Sequence, residues 1–313
     1  MRLRRGRLAG LALAFASLSS AALAQGGSDT SARGPAPGVE LNFSTDSDHT
    51  DVVKLLGRAL WTFQDRDHYQ GVAVERAWFS PSGDKMRRET RAYIDLADSL
   101  GEKWRWRARV GTNGETILGA ASLRSKDWSK EVFLEREIVE TRQGLDRGIY
   151  YTFGGASFDV PLGVRDTLNV MGGVQEFTGK NVRLHLRGTA IHVLAPQLGI
   201  SVQLRARYFH STRPGEFDYY SPRNFVALIP VLQMRRFDNR GWMYLAAVGY
   251  GVQKATGSHR QSAELVDLRM ESPARSNRLQ AFAQLQYSNN SLNQGGGGYR
   301  YLSGRLGLTI RPR

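Results

Sequence analysis

Residues 200–208, Ile-Ser-Val-Gln-Leu-Arg-Ala-Arg-Tyr, alternate strictly between apolar and polar side chains. Apolar side chains occupy the even-numbered positions, and serine, glutamine and arginine occupy the odd-numbered ones. Successive side chains of a β-strand point to opposite faces, so this stretch predicts a strand with one apolar and one polar face. The same period of two recurs at residues 104–110, 182–187 and 279–287. We find no long helical repeat.

Turn signals divide the chain at regular intervals, and short connections alternate with longer ones. The short turns are predicted at 65–67, 100–102, 126–128, 161–163, 196–199, 238–241 and 272–273. The longer loops are predicted around 45–50, 80–88, 111–115, 141–148, 175–181, 211–224, 254–262 and 288–299. This spacing predicts about sixteen strands of roughly 9–13 residues, which is typical of an all-β, antiparallel transmembrane barrel.

Composition supports this fold class. The chain has 313 residues, 41% of them hydrophobic and 23% charged, which excludes a disordered protein. It contains no cysteine, which excludes disulfides, thiol catalysis and cysteine-based metal sites. A soluble β-protein would also alternate, but long strands with charged polar faces favour a barrel with a wet lumen. Aromatic pairs near strand ends, including Tyr150–Tyr151 and Tyr219–Tyr220, are interpreted as interfacial girdles.

The N-terminus predicts export. Residues 1–24 combine an arginine-rich start, an apolar stretch and the small-residue site Ala22-Leu23-Ala24, which together indicate a cleaved signal peptide. Residues 25–38 are interpreted as a flexible leader, and residues 39–313 as the barrel. Removing four arginines leaves a net charge of (43 − 4) − 29 = +10. The predicted location is the outer membrane of a Gram-negative bacterium.

Candidate catalytic groups are sparse. The six histidines show no metal-ligand spacing, and His210–Ser211 lacks an accompanying acid or oxyanion motif. Glu135 and Glu137 share one strand face, as a glycosidase pair would, but nearby arginines make lumen charge pairs the simpler interpretation. We therefore predict no catalytic residues, no metal, no cofactor and no enzyme activity. Nucleic acid is not expected as a partner of an exported chain.

The basic excess is the strongest functional signal. Five arginines on the polar faces of three strands are predicted lumen or substrate contacts: Arg105, Arg107, Arg183, Arg205 and Arg207. Such side chains favour anions in a pore. Alternatively, acids on neighbouring strands neutralise them, with Glu75, Glu135, Glu137 and Asp159 as candidates, and the remaining bases bind lipopolysaccharide phosphates.

Four short motifs occur together in a familiar order. They are Glu-Ile-Val-Glu-Thr at 137–141, Asp-Tyr-Tyr-Ser-Pro-Arg at 218–223, Gly-Tyr-Gly-Val-Gln at 249–253 and Tyr-Ser-Asn-Asn-Ser at 287–291. Their order resembles the C-terminal barrels of exopolysaccharide-secretion porins of the cellulose and poly-N-acetylglucosamine export type. It is also similar to the related YaiO-like outer-membrane barrels. The likeness covers most of residues 39–310.

The resemblance implies a passive conduit that exports a biofilm exopolysaccharide without covalent chemistry. A basic lumen would suit a neutral or anionic polymer. In that family a periplasmic helical-repeat region precedes the barrel, whereas here about fourteen residues separate the predicted cleavage site from the predicted barrel. Either a separate helical-repeat protein supplies that region or this barrel has another role. The expected partners are therefore such a protein or an inner-membrane synthase, together with outer-membrane lipid and lipopolysaccharide. Alternatives are a general anion-leaning porin, a barrel enzyme acting on outer-membrane lipid or glycan, and an adhesive barrel using loops 211–224 and 288–299.

Overall fold

Alternating strands and turns occupy nearly the whole described chain. The computed structural model describes residues 34–311 except 48, 82, 274–277 and 292–297. The strands are β1 Gly34–Asp46, β2 Asp51–Asp65, β3 His68–Ser80, β4 Arg87–Leu100, β5 Trp104–Thr112, β6 Ile117–Ser125, β7 Lys130–Ile138, β8 Tyr150–Pro161, β9 Asp166–Phe177, β10 Val182–Ala195, β11 Ile200–Ser211, β12 Asn224–Phe237, β13 Met243–Ala255, β14 Gln261–Glu271, β15 Leu279–Ser291 and β16 Gly298–Ile310. A short helix, α1 Arg142–Arg147, and a 3-10 turn at Pro196–Leu198 complete the described elements.

Each strand pairs antiparallel with the next, and β1 pairs with β16, which closes the barrel. The predicted architecture and strand number are therefore confirmed. The two predicted sets of connections fall at opposite ends, because antiparallel strands reverse direction at each connection. We call these the turn end, which holds the chain's first described residue, and the loop end, which holds α1. No helix among the described residues is long and apolar enough to cross a membrane.

The last strand, β16, contains two glycines that leave room for aromatic rings of its two neighbouring strands. Gly304 of β16 lies opposite Phe43 of β1, and an added Cβ would lie 2.2 Å from the Phe43 ring. Gly307 lies opposite Phe282 of β15, where an added Cβ would lie 2.1 Å from that ring. Both rings therefore lie flat over the backbone of the last strand.

The first strand begins earlier than the sequence suggested. It starts at Gly34, inside the segment 25–38 that was interpreted as a leader, and Ala36 is buried. The prolines of this segment indicated a linker, but β1 pairs with β16 only from Gly38 onward. Proline at the start of a strand with a single neighbour removes no ladder hydrogen bond on the open side. The predicted signal peptide lies outside the described residues.

The outer surface is an apolar belt. Strand residues with large exposed apolar side chains alternate with interior ones, as Val72 and Val74 do on β3. Trp61, Tyr244 and Tyr250 are exposed aromatics of this surface, as expected for membrane interfaces. The interfacial interpretation of Tyr150, Tyr151 and Tyr219 was wrong, because these side chains are buried in the protein.

The seam generates a folding prediction. Replacing Gly304 with valine should lower the urea midpoint and the yield of heat-modifiable folded barrel, because the new side chain must displace Phe43. Gly188→Val is the matched control, since an added Cβ at Gly188 meets nothing within 4 Å. Equal folding of the two variants would contradict this account of the closure.

Candidate pore lumen

The interior face divides into two unlike regions. We call the part formed by β1–β7 the packed sector. An apolar cluster fills its loop-end half, with Leu56, Ala77, Phe79, Leu118 and Ile138 among its members. Buried charged residues fill the space below that cluster.

Cations and acids of the packed sector pair with one another across several strands. Arg109 of β5 donates to Glu40 of β1 at 3.0 Å and to Asp95 of β4 at 2.8 Å. Arg58 of β2 pairs with the same Glu40 and lies 3.3 Å from Asp95. This cluster contains two cations and two acids, so its charges cancel.

A second cluster lies closer to the loop end. Arg91 of β4, whose side chain has no exposed surface, pairs with Glu75, Glu89 and Glu137 at 2.8–3.1 Å. Lys54 of β2 lies 3.5 Å from Glu137 of β7 and 2.6 Å from Glu140 beyond it.

These pairs show that the barrel is not round. Sixteen strands about 4.8 Å apart and tilted by about 40° would form a circle roughly 30 Å across. In that circle β2 and β7 would lie roughly 25 Å apart, which exceeds the reach of a lysine and a glutamate together. The contact between Lys54 and Glu137 therefore requires the wall from β1 to β7 to be drawn inward, which leaves the remaining lumen beside β8–β16.

The arginines of β10 and β11 line that remaining lumen and have no carboxylate partner among the described residues. The interior face of β9–β13, which the structure describes throughout, carries no aspartate or glutamate. On β10 and β11 it carries four arginines, which we call the basic wall: Arg183, Arg187, Arg205 and Arg207. None of the four makes an ion pair with a described residue within 4 Å, in contrast to the cations of the packed sector.

The structure places all five arginines predicted from the sequence on the interior face, but with different partners. Arg105 pairs with Asp67 of the β2–β3 turn at 2.5 Å, and Arg107 donates to Ser122 of β6 at 3.3 Å. Arg183 donates to Ser211 at 3.3 Å and to the carbonyl oxygen of Tyr220. Arg205 donates to Gln203 at 2.9 Å, and Arg207 lies 5.7 Å from the ring centroid of Phe209. Of the five, Arg105 is neutralised and the other four have no carboxylate partner.

The predicted neutralising acids have other roles. Glu75 and Glu137 pair with Arg91, and Glu137 also with Lys54. Glu135 accepts a hydrogen bond from the Tyr151 hydroxyl at 2.5 Å, and Asp159 accepts one from Asn169 at 2.6 Å. Neutralisation therefore occurs within the packed sector and not on the basic wall. Two cations outside the five predicted contacts are central to these regions: Arg91, which the sequence reasoning did not name, and Arg187, which it placed with Arg183 on a lumen-facing strand face.

Two loops fold together over the loop end, and we call their contact the clasp. Loop 139–149 contains α1, which Thr141 caps by accepting from the Gly144 N–H. Asp218 of loop 212–223 accepts from the Thr141 hydroxyl at 2.5 Å and from the Gln143 N–H at 2.8 Å. Arg87, at the start of β4, pairs with Asp146 on the other side of α1. The helix therefore links the packed sector to the loop that follows the basic wall.

The rest of loop 212–223 is also held firmly. Tyr219 is buried and stacks on Phe177 with ring centroids 4.3 Å apart. Asn181 donates to the Tyr219 hydroxyl at 2.9 Å, and burial raises the pKa of Tyr219 to about 12. Glu216 accepts from the Asn181 N–H at 2.9 Å. The clasp thus holds loop 212–223 in place at the loop end of the barrel.

One hydrogen-bonded chain has the atom order of a catalytic triad. Asp65 lies 2.8 Å from His68 Nδ1, and His68 Nε2 lies 3.0 Å from Ser99 Oγ. Sequence reasoning assembled no nucleophile–base–acid set and missed this one, because its members lie on three strands. However, the Ser99 N–H already donates to Asp98 at 2.7 Å, so it is not available to stabilise an oxyanion. The chain ties the β2–β3 turn to β4.

The other histidine and serine considered as a catalytic pair do not bond to each other. His210 bonds Asn224 at 2.9 Å, whereas the adjacent Ser211 accepts from Arg183. No cluster of three or more metal-ligating side chains occurs among the described residues.

The packed sector generates a stability prediction. Replacing Arg91 with methionine leaves three carboxylates without their shared cation. Breaking such a buried network should destabilise the barrel by about 3–5 kcal/mol. The measurement is the urea midpoint of the refolded protein. Arg88→Met on the exposed face should change it little, and equal midpoints for both variants would refute the network's role.

The clasp generates a conductance prediction. Asp218→Ala removes the acceptor shared by Thr141 and Gln143. The single-channel conductance and the current noise should therefore both increase. Glu102→Ala, in an exposed turn at the opposite end, is the control. Unchanged conductance and noise in the Asp218 variant would show that the clasp does not restrict the mouth.

Comparison with known proteins supports the fold. No protein-family model matches the chain, and no curated protein matches it. A solved bacterial polysaccharide outer membrane secretin is similar over 88% of this chain and 98% of its own, with 13% identity and a TM-score of 0.62. OprD of Pseudomonas aeruginosa matches with 10% identity, 89% and 95% coverage and a TM-score of 0.42. The KdgM porin in complex with disordered oligogalacturonate matches with 7% identity, 88% and 99% coverage and a TM-score of 0.38. The chain therefore has the fold of a sixteen-stranded outer-membrane barrel.

Proposed function

We propose that this protein is an outer-membrane pore that exports an exopolysaccharide. The observation that carries the proposal is the polar track along the inner face of β10 and β11, which Gln233 of β12 joins near the turn end. It runs from Gln233 and Gln203 near the turn end, past the arginines of the basic wall, to the clasp. Polar and charged side chains lining a barrel lumen give a hydrated path, and unpaired arginines there favour neutral or anionic cargo over cationic cargo.

Two further observations agree with this role. The bacterial polysaccharide secretin shares the fold over nearly the full length of both chains. The packed sector fills one side of the barrel with its own ion pairs. Cargo would therefore pass along the other side, beside the basic wall. A chain-like cargo needs such a continuous path, and no covalent chemistry is required for its passage.

The proposal extends to location and partners. The protein acts in the outer membrane after removal of its signal peptide, where its basic surface meets lipid and lipopolysaccharide. A separate periplasmic helical-repeat protein or an inner-membrane synthase delivers the polymer to the turn end. A general anion-leaning porin is the second candidate, because the same unpaired arginines would select small anions equally well.

The test is a planar-bilayer recording of the refolded mature protein under a salt gradient. We expect steady, anion-selective conductance that an acidic polysaccharide blocks from one side. Replacing Arg105, Arg107, Arg205 and Arg207 with serine should lower the anion preference. Most of the change should come from the last three, since Asp67 already neutralises Arg105.

Arg76→Ser and Arg88→Ser on the outer face are matched controls that remove charge outside the lumen. Block by small anions without block by polymers would favour the porin alternative. A folded, heat-modifiable barrel without conductance would refute the pore.

A further inference from the structure

Arg187 and Arg207 face each other directly across the β10–β11 ladder. Directly opposed residues of an antiparallel pair share a face, with Cβ atoms about 4.5–5.5 Å apart. Two like charges in this position destabilise a sheet. The next residues in the same row are Met171 on β9 and Ala227 on β12, and neither can offset the charge.

Both guanidinium groups also have unused hydrogen-bonding capacity. The Nε atoms of Arg187 and Arg207 are buried and have no hydrogen-bond partner among the described residues. Both side chains are half-buried, and arginines that are withdrawn from water normally have an acidic partner. The packed sector follows that rule, since Arg91 and Arg109 each meet more than one carboxylate. The facing pair departs from it.

Neighbouring aromatic and amide side chains pack around Arg187 and Arg207 without neutralising their positive charges. Arg207 lies 5.7 and 5.8 Å from the ring centroids of Phe209 and Phe225, which stack on each other with centroids 4.9 Å apart. Next along β10, His185 bonds Gln175 at 3.0 Å and packs against Phe153. These aromatic contacts restrict the Arg207 guanidinium group without neutralising it, and both arginines lie on the interior face of the sheet.

We infer that Arg187 and Arg207 form a binding site for an oxyanion, namely a carboxylate, sulfate or phosphate group. The planar guanidinium donates two parallel hydrogen bonds to such groups, and two facing guanidinium groups can hold one anion between them. The anion supplies the negative charge that the interior of β9–β13 lacks. Its source is either a free small anion or an acidic group on a passing polymer, and the second source rests on the proposed export function.

The first experiment measures equilibrium unfolding by urea of the full mature protein in detergent, with sulfate or with chloride at equal ionic strength. A ligand that binds the folded state raises the unfolding midpoint in proportion to its occupancy. Sulfate also stabilises proteins generally, so the informative quantity is the difference between variants. We expect the sulfate-specific increase to be lost in Arg187→Gln and in Arg207→Gln.

Arg269→Gln is the matched control, because it removes the same interior charge from a side chain already paired with Asp267 at 2.6 Å. It should retain the sulfate-specific increase. In chloride alone, the Arg187 and Arg207 variants should be at least as stable as the native protein, because each removes one of two opposed like charges. An equal sulfate effect in the native protein and both variants overturns the site.

A second variant keeps the inference testable if the first two fold poorly. Met171→Glu is close to isosteric and places a carboxylate directly beside Arg187 in the sheet. It should raise the urea midpoint in chloride and abolish the sulfate-specific increase. A variant that still gains full stability from sulfate would contradict the assignment. None of these measurements needs an open channel, so their failure is distinguishable from failure of the proposed function.

The source of the anion is resolved by channel block. In planar bilayers, sulfate should block native channels at a concentration at least tenfold lower than in Arg207→Gln. Block by oligogalacturonate but not by neutral dextran, with the same variant dependence, assigns the site to an acidic polymer. Block by sulfate alone assigns it to small free anions. Identical block of native and variant channels by every anion would overturn the site.

Discussion

Closure of the hydrogen-bond ladder is the constraint on which the whole structure depends. In hydrocarbon, every backbone donor and acceptor must find a partner within the protein, and a closed barrel satisfies them because it has no sheet edge. Here the last pairing joins β1 to β16, with register from Gly38 opposite Thr309 to Asp46 opposite Tyr301. The Phe43 ring over Gly304 spans this seam, and the Phe282 ring over Gly307 packs the last strand against β15. Once it is closed, strict alternation sends apolar side chains to lipid and polar ones inward.

Closure also concentrates charge in a confined interior, and the two sides of the barrel handle it differently. In the packed sector, Lys54, Arg58, Arg91 and Arg109 are paired with acids that extend from Glu40 of β1 to Glu137 of β7. These pairs draw the wall inward and fill it. On the basic wall, aromatic and amide neighbours hold the arginines without cancelling their charge. The same residue type therefore stabilises one side and gives the other its affinity for anions.

The loop end of the barrel carries the clasp, which holds two loops together. The clasp between α1 and loop 212–223 rests on a few hydrogen bonds to Asp218, together with the stacking of Tyr219 on Phe177. With the hydrogen bonds of Asn181 and Glu216, these contacts hold the loop in one position at the loop end. The Asp65–His68–Ser99 chain shows, in contrast, that catalytic atom order alone does not make an active site when the nucleophile's own N–H is committed elsewhere.

The sequence by itself determined the fold class, the strand number and the alternation of turns and loops, because a period of two and local turn chemistry are properties of neighbouring residues. It also determined that Arg105 and Arg207 face the interior. Only the tertiary structure decided that Asp67 neutralises the first and that Arg187 opposes the second, because pairing depends on strand register and on contacts across the lumen. For the same reason Tyr219, expected at the membrane interface, lies buried beneath the clasp.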